Sequence, residues 1–170
     1  MNNPMTLHHY EESRVVNASP DEVFSYIDDH SKFSSHMNQS SWMLGGGKMA
    51  TTVDQEKGQV VGSHIKMDGI VFGFHVFLDE MVTYRQPPRI KVWETVGIPR
   101  LLIIGHYQMK VEIQSVEAGS KISVSIEYQL PDTHQWLGKL FSAWYAKWCV
   151  RQMLDGTSAH FMHTTALKAR

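Results

Sequence analysis

Two carboxylates sit inside runs of alternating apolar residues, where proton-transfer chemistry would want them. If Leu78 and Val82 point inward, the two-residue period of a strand carries Glu80 in with them, and Ile90, Val92 and Val96 do the same for Glu94. A carboxyl held in an apolar interior has its charged form penalised, so its pKa rises and it can serve as a proton donor or base. The opposite register, or a bulge, would turn either carboxylate to solvent, where unpaired Glu usually resides. Tyr107 is the third conditional catalytic candidate, because it would bring a hydroxyl into an apolar space. His75 and His106 are similar cases, although His106 is in phase with Gln108 and Lys110 and therefore belongs to a wet face.

A second group has the chemistry of a ligand lining. Tyr107, Met109, Tyr128, Phe141, Trp144 and Trp148 are the ligand-binding candidates, since pockets are mainly apolar and aromatic with a few placed polar groups. The same side chains would also fill a dry core. Five Trp, six Tyr, seven Phe and ten Met give the chain the large, adaptable side chains that either arrangement needs. Residues 97–105, Gly-Ile-Pro-Arg-Leu-Leu-Ile-Ile-Gly, lie between two strand-like runs where a short polar loop is usual. Leu101, Leu102 and Ile103 are expected at a cavity rim, on a lip hinged at Gly97 and Gly105; alternatively, residues 102–104 extend the next strand and pack inside. Exposed Leu and Ile need a cover, from the fold, from a ligand or from a second subunit, which would make a homodimer.

Other chemistries find little support. His160 and His163 are three apart on a presumed helix, but no third ligand is placed, so no metal is expected. Cys149 lies among Trp148, Val150 and Met153 without an activating neighbour and reads as a buried, inert thiol. Gly45-Gly46-Gly47 before Lys48 lacks the spacing of a phosphate loop, and no cofactor is expected. A net charge of −1 gives no footprint for nucleic acid. No run approaches the ~20 apolar residues of a membrane span, and the first residues lack the pattern of a secretory signal. With a single cysteine, the expectation is a soluble cytoplasmic protein, its 170 residues forming one domain over 1–170.

The elements that must position these residues are legible from their patterns. A strand over 12–18 runs into Ser19-Pro20-Asp21-Glu22, where Ser19 caps a helix, Pro20 suits its first position and the acids suit its dipole. A second short helix is expected near 31–37, and the three glycines should form a loop. Strands follow over 48–55, 62–72, 74–84, 89–96, 106–116 and 121–130, without an intervening helix, so the sheet is antiparallel. Asp132 or Thr133 caps a last helix running toward Lys168, with Leu137, Phe141, Trp144, Tyr145 and Trp148 on one broad face and a bend or break at Gly156.

The stretch Val15-Val16-Asn17-Ala18-Ser19-Pro20-Asp21-Glu22-Val23-Phe24 with Ile27 and Phe33, and then Val82-Thr83-Tyr84-Arg85-Gln86-Pro87-Pro88-Arg89, resembles the START-like (SRPBCC) superfamily in its polyketide cyclase/dehydrase and lipid-transport branch. The order of elements agrees over nearly the whole chain. The resemblance implies an α+β helix-grip fold of the START/Bet v 1-like kind, a curved antiparallel sheet wrapped around a long C-terminal helix with a central cavity. It also implies a hydrophobic small-molecule ligand, lipid-like or aromatic, held by a carrier or binding protein, or else a cyclase/dehydratase-like enzyme. It supplies no universal catalytic motif.

Overall fold

The computed structural model describes residues 6–33, 49–133 and 135–168, the last five of these by backbone alone. The expected loop at Gly45-Gly46-Gly47 and the later part of the expected second helix lie outside the described residues. Strand β1 (His8–Val16) is followed by helices α1 (Pro20–Asp28) and α2 (His30–Phe33). Then come β2 (Met49–Val53), β3 (His64–Val71), β4 (Phe74–Gln86), β5 (Ile90–Arg100), β6 (Tyr107–Val116), β7 (Gly119–Tyr128) and the long helix α3 (Gln135–Lys168). All neighbouring strands are antiparallel, in the order β1-β7-β6-β5-β4-β3-β2. This is the curved sheet gripping a helix that the sequence implies.

Local chemistry explains the start of α1. The Ser19 hydroxyl accepts from the Glu22 amide at 3.3 Å while the Glu22 carboxylate accepts from the Ser19 amide at 3.0 Å, a reciprocal cap that satisfies two otherwise unpaired donors. In β6 and β7 apolar and polar residues alternate: Met109, Val111 and Ile113 face inward beside Ile122, Val124 and Ile126.

Strand β5 corrects the sequence reading. Its buried face carries Lys91, Trp93 and Thr95, not Ile90, Val92 and Val96, so Glu94 points to the outer face and accepts a hydrogen bond from the Gln108 amide at 3.0 Å. By side-chain type the Ile90, Val92 and Val96 face is the more apolar one, and two features on other elements override it. Trp93 meets the rings of His30 and Phe33 edge-on at 5.2 and 6.0 Å. Lys91 is fully buried because the Asp28 carboxylate, at the end of α1, comes within 3.1 Å of its ammonium. Arg85 of β4 grips the same carboxylate through two hydrogen bonds of 3.1 and 2.7 Å. Burial alone would raise the Asp28 carboxyl, but the Arg85 hydrogen bonds and the Lys91 charge outweigh it and hold it below the usual range.

Helix α3 is also corrected. It runs unbroken through Gly156 and buries Ala146, Val150, Met153, Leu154 and Phe161, while Phe141 and Trp144 stay 40% and 46% exposed. Its first half is apolar around most of its circumference, so spacing alone does not choose the face that meets the sheet. Among the described residues no helix is long and apolar enough to cross a membrane.

Candidate functional site

The interior polar cluster begins with the alternation of β4. Val76, Leu78 and Val82 are buried, and Glu80, in phase with them, is only 2% exposed. From β6 the Tyr107 hydroxyl donates to Glu80 Oε1 in a very short hydrogen bond. From α2, His30 Nε2 stands 3.6 Å from Glu80 Oε2, and both side chains are buried. Glu80 Oε2 accepts no hydrogen bond among the described residues. Met67, Leu78, Trp93 and Met109 complete the walls of a cavity of about 40 Å³ around this cluster, with Tyr145 and Cys149 of α3 forming its roof. Roughly 10–15 Å³ of such space is enough to hold a water, so this cavity has room for a few waters or one small polar group of a larger molecule.

Burial pushes the Tyr107 phenol well above its ordinary pKa, and the charge of Glu80 adds to the shift. Tyr145 moves the same way, first by burial and then through Cys149. Burial pushes the Cys149 thiol up to about 12, against a smaller opposing effect of its hydrogen bond with Tyr145. Tyr107 and Tyr145 are therefore neutral donors near pH 7, and Cys149 is a thiol without nucleophilic character.

A much larger space opens outside. The tip of the β3–β4 hairpin (Phe72, Phe74), the loop after β5 (Leu102, Ile103) and the first turns of α3 (Leu137, Phe141, Trp144) line a groove of about 680 Å³, and these described side chains are all apolar or aromatic. Between it and the inner cavity lies a space of about 30 Å³, walled by residues 101–104, Val71, Val76 and Tyr145. Residues 101–104 thus contribute to all three spaces: Leu102 and Ile103 face the groove, Leu101 and Ile104 face the inner cavity. Ile104 is buried, and Leu101, Leu102 and Ile103 are half-buried. Only Gly97 of the two expected hinge glycines has a left-handed φ, +69°. Gly105 is needed for contact instead, because a Cβ there would stand 2.8 Å from the Leu130 carbonyl oxygen. Gly138 lets α3 press against the loop in the same way, its missing Cβ lying 2.5 Å from Pro131 and 3.1 Å from the Ile103 carbonyl oxygen.

The ligand candidates are therefore divided. Tyr107 and Met109 line the inner cavity, and Phe141 and Trp144 line the outer groove. Tyr128 is buried against the stacked ring of His8 at 5.3 Å, and Trp148 packs beside Tyr145 at 5.8 Å; both lie outside these linings. A single pocket shared by Tyr107, Tyr128, Trp144 and Trp148 is corrected accordingly: α3 is rotated so that its aromatic ridge spans mouth and interior. Of the conditional carboxylates, Glu80 faces the cavity and Glu94 does not. His30 and Tyr145 were not among the sequence candidates. Tyr145 belonged to the aromatic ridge, whereas nothing near His30 in sequence distinguishes it. Among the described residues no group of three or more His, Cys, Asp or Glu is placed to hold a metal.

The family model described as polyketide cyclase / dehydrase and lipid transport matches residues 8–161. The chain belongs to this family. Several solved structures share the fold of this chain at low sequence identity. An aromatase/cyclase, Zhui from Streptomyces sp. R1128, superposes with a TM-score of 0.69 at 11% identity, covering 94% of this chain and 96% of that one. Norcoclaurine synthase from Thalictrum flavum gives 0.63 at 17% identity, covering 93% and 87%. Ara h 8.0201 gives 0.59 at 12% identity, covering 93% and 99%. No curated protein sequence matches significantly. At these identities the likeness establishes the helix-grip fold.

Proposed function

We propose that this member of the polyketide cyclase/dehydrase and lipid-transport family binds one hydrophobic small molecule, lipid-like or aromatic, as a carrier or binding protein. The outer groove carries this reading: about 680 Å³ of apolar space falls within the roughly 300–1,000 Å³ of ligand pockets. The apolar body of the ligand lies against Phe141, Trp144, Leu102 and Ile103, and a polar end reaches past residues 101–104 toward Glu80 and Tyr107. Leu101, Leu102 and Ile103 act as the rim. In the resting arrangement they part the groove from the inner cavity, and their displacement joins the two spaces. The fold relative norcoclaurine synthase has been solved in complex with dopamine and hydroxybenzaldehyde, so this architecture accepts aromatic small molecules.

Native mass spectrometry of the purified protein, followed by solvent extraction, tests the reading. About one apolar molecule per chain is expected, released on denaturation and absent from a Phe141→Asp, Ile103→Asp variant that remains folded. Recovery of no molecule, together with failure of fatty acids and aromatic dyes to bind the stripped protein, overturns it.

The convergence of Glu80, Tyr107 and His30 supports a second reading, a cyclase/dehydratase-like enzyme in which Glu80 moves a proton and Tyr107 donates to a developing oxyanion. Extracts of the wild type and of Glu80→Gln separate the two readings. An enzyme that loses the roughly 10²–10⁴-fold contribution of a general acid or base accumulates an unconverted molecule in the variant. A carrier yields the same molecule from both.

A further inference from the structure

The groove mouth is surrounded by side chains that the fold leaves in water. Trp136 is 64% exposed, Leu140 65%, Phe72 54% and Phe74 58%. Trp136, Leu140 and Trp144 recur every four residues along α3 and form one outward stripe, which Lys147 continues and Lys139 flanks. Phe72 and Phe74 reach the same place from the β3–β4 hairpin, since they share the groove lining with Phe141 and Trp144. An exposed apolar patch on this scale marks a surface that meets something apolar.

Charge decides what it meets. Residues 69–76, 100–106 and 135–148, which build the mouth, contain Arg100, Lys139 and Lys147 and no Asp or Glu, although the whole chain carries 17 acids and a net charge of −1. Those three cations are exposed and form no ion pair with the described residues' carboxylates in the contacts present. The carboxylates that border these stretches are Asp68, 3.1 Å from His75, Asp79, 2.9 Å from His64, and Asp132. A two-fold contact between copies of this chain would bring the same cations together without an acid to meet them.

We infer that this end of the molecule docks on an anionic lipid bilayer. Trp136, Leu140, Phe72 and Phe74 enter the boundary between headgroups and acyl chains, and Lys139, Lys147 and Arg100 meet the lipid phosphates and carboxylates. Amphipathic, acid-free surfaces rich in aromatic residues bind membranes in this way, without spanning them. Docked so, the groove opens directly onto the acyl layer, and an apolar molecule can pass between membrane and protein without crossing water.

The test is flotation of the full chain with phosphatidylcholine vesicles made with and without phosphatidylserine. Binding is expected on the serine-containing vesicles and is expected to weaken as salt is raised. Lys139→Gln and Lys147→Gln each lower the partition coefficient roughly fivefold. Trp136→Asp with Leu140→Asp lowers it by at least about tenfold. These four residues lie outside the groove lining, so the variants keep their uptake of an apolar dye; loss of dye binding alone would count against the ligand reading and leave vesicle binding standing. Equal flotation with neutral and anionic vesicles, no flotation with either, or a concentration-dependent dimer abolished by Trp136→Asp overturns the inference.

Discussion

Replacing Asp28 with Ala is expected to lower the stability of the fold by about 3–5 kcal/mol, because it strands a buried cation. Lys91 is fully buried, and the Asp28 side chain and main-chain carbonyl are the acceptors its ammonium reaches, at 3.1 and 3.2 Å. Arg85 is 27% exposed and can turn to water, so Lys91 bears most of the damage. For a chain of this length about 1 kcal/mol corresponds to about 2–4 °C, so Tm falls by roughly 10 °C. Burial already pulls the Lys91 ammonium below its ordinary pKa even with Asp28 present. The double variant Asp28→Asn with Lys91→Met should recover most of the loss, since it removes both charges rather than one. The pH dependence has a definite sign. The Asp28 carboxyl is held below its unfolded value, so its contribution is complete above that value, near pH 4, and disappears as pH falls through the folded pKa. The gap between wild type and Asp28→Ala should therefore narrow in acid. Urea unfolding at pH 7 and pH 3 measures it, and a loss below about 1 kcal/mol at pH 7 would show that the network is only a surface pair.

How much of this was legible in the sequence follows the range of the interactions involved. The cap at Ser19 is read correctly because its partners are three residues apart. Strands β6 and β7 are read correctly because apolar and polar side chains alternate along them, which leaves period two unambiguous even where Ser125 of β7 is buried. Glu80 was legible as a conditional inward carboxylate because β4 alternates throughout its buried half. Glu94 was not, because the face of β5 is chosen by Asp28 and His30, which reach it from α1 and α2. The same holds for His30 in the site: a contact with Glu80, fifty positions away in the chain, leaves no trace in local periodicity. The aromatic residues of α3 were recognised as a group, but their division between interior and mouth depends on the helix's rotation, which is set in part by the tight packing of Gly138 against Pro131 and the Ile103 carbonyl.

The second large effect concerns the groove itself. Phe141 is partly exposed on α3 and lines the groove, so a carboxylate at this position is tolerated by the fold yet faces whatever the groove holds. Placing an unpaired charge against an apolar ligand costs at least about 1–3 kcal/mol, which corresponds to roughly 5- to 150-fold in affinity. Phe141→Ala, which removes contact area without adding charge, should cost less. Lys147→Gln lies outside the lining and should leave affinity unchanged. The decisive measurement is titration of the stripped protein with an apolar fluorescent dye such as an anilinonaphthalene, with Tm recorded for each variant. Saturable binding of one dye per chain, weakened at least about fivefold by Phe141→Asp at unchanged Tm, is the expected result. Equal dye affinity in wild type and a fully folded Phe141→Asp would contradict the claim that this groove is where the protein holds its ligand.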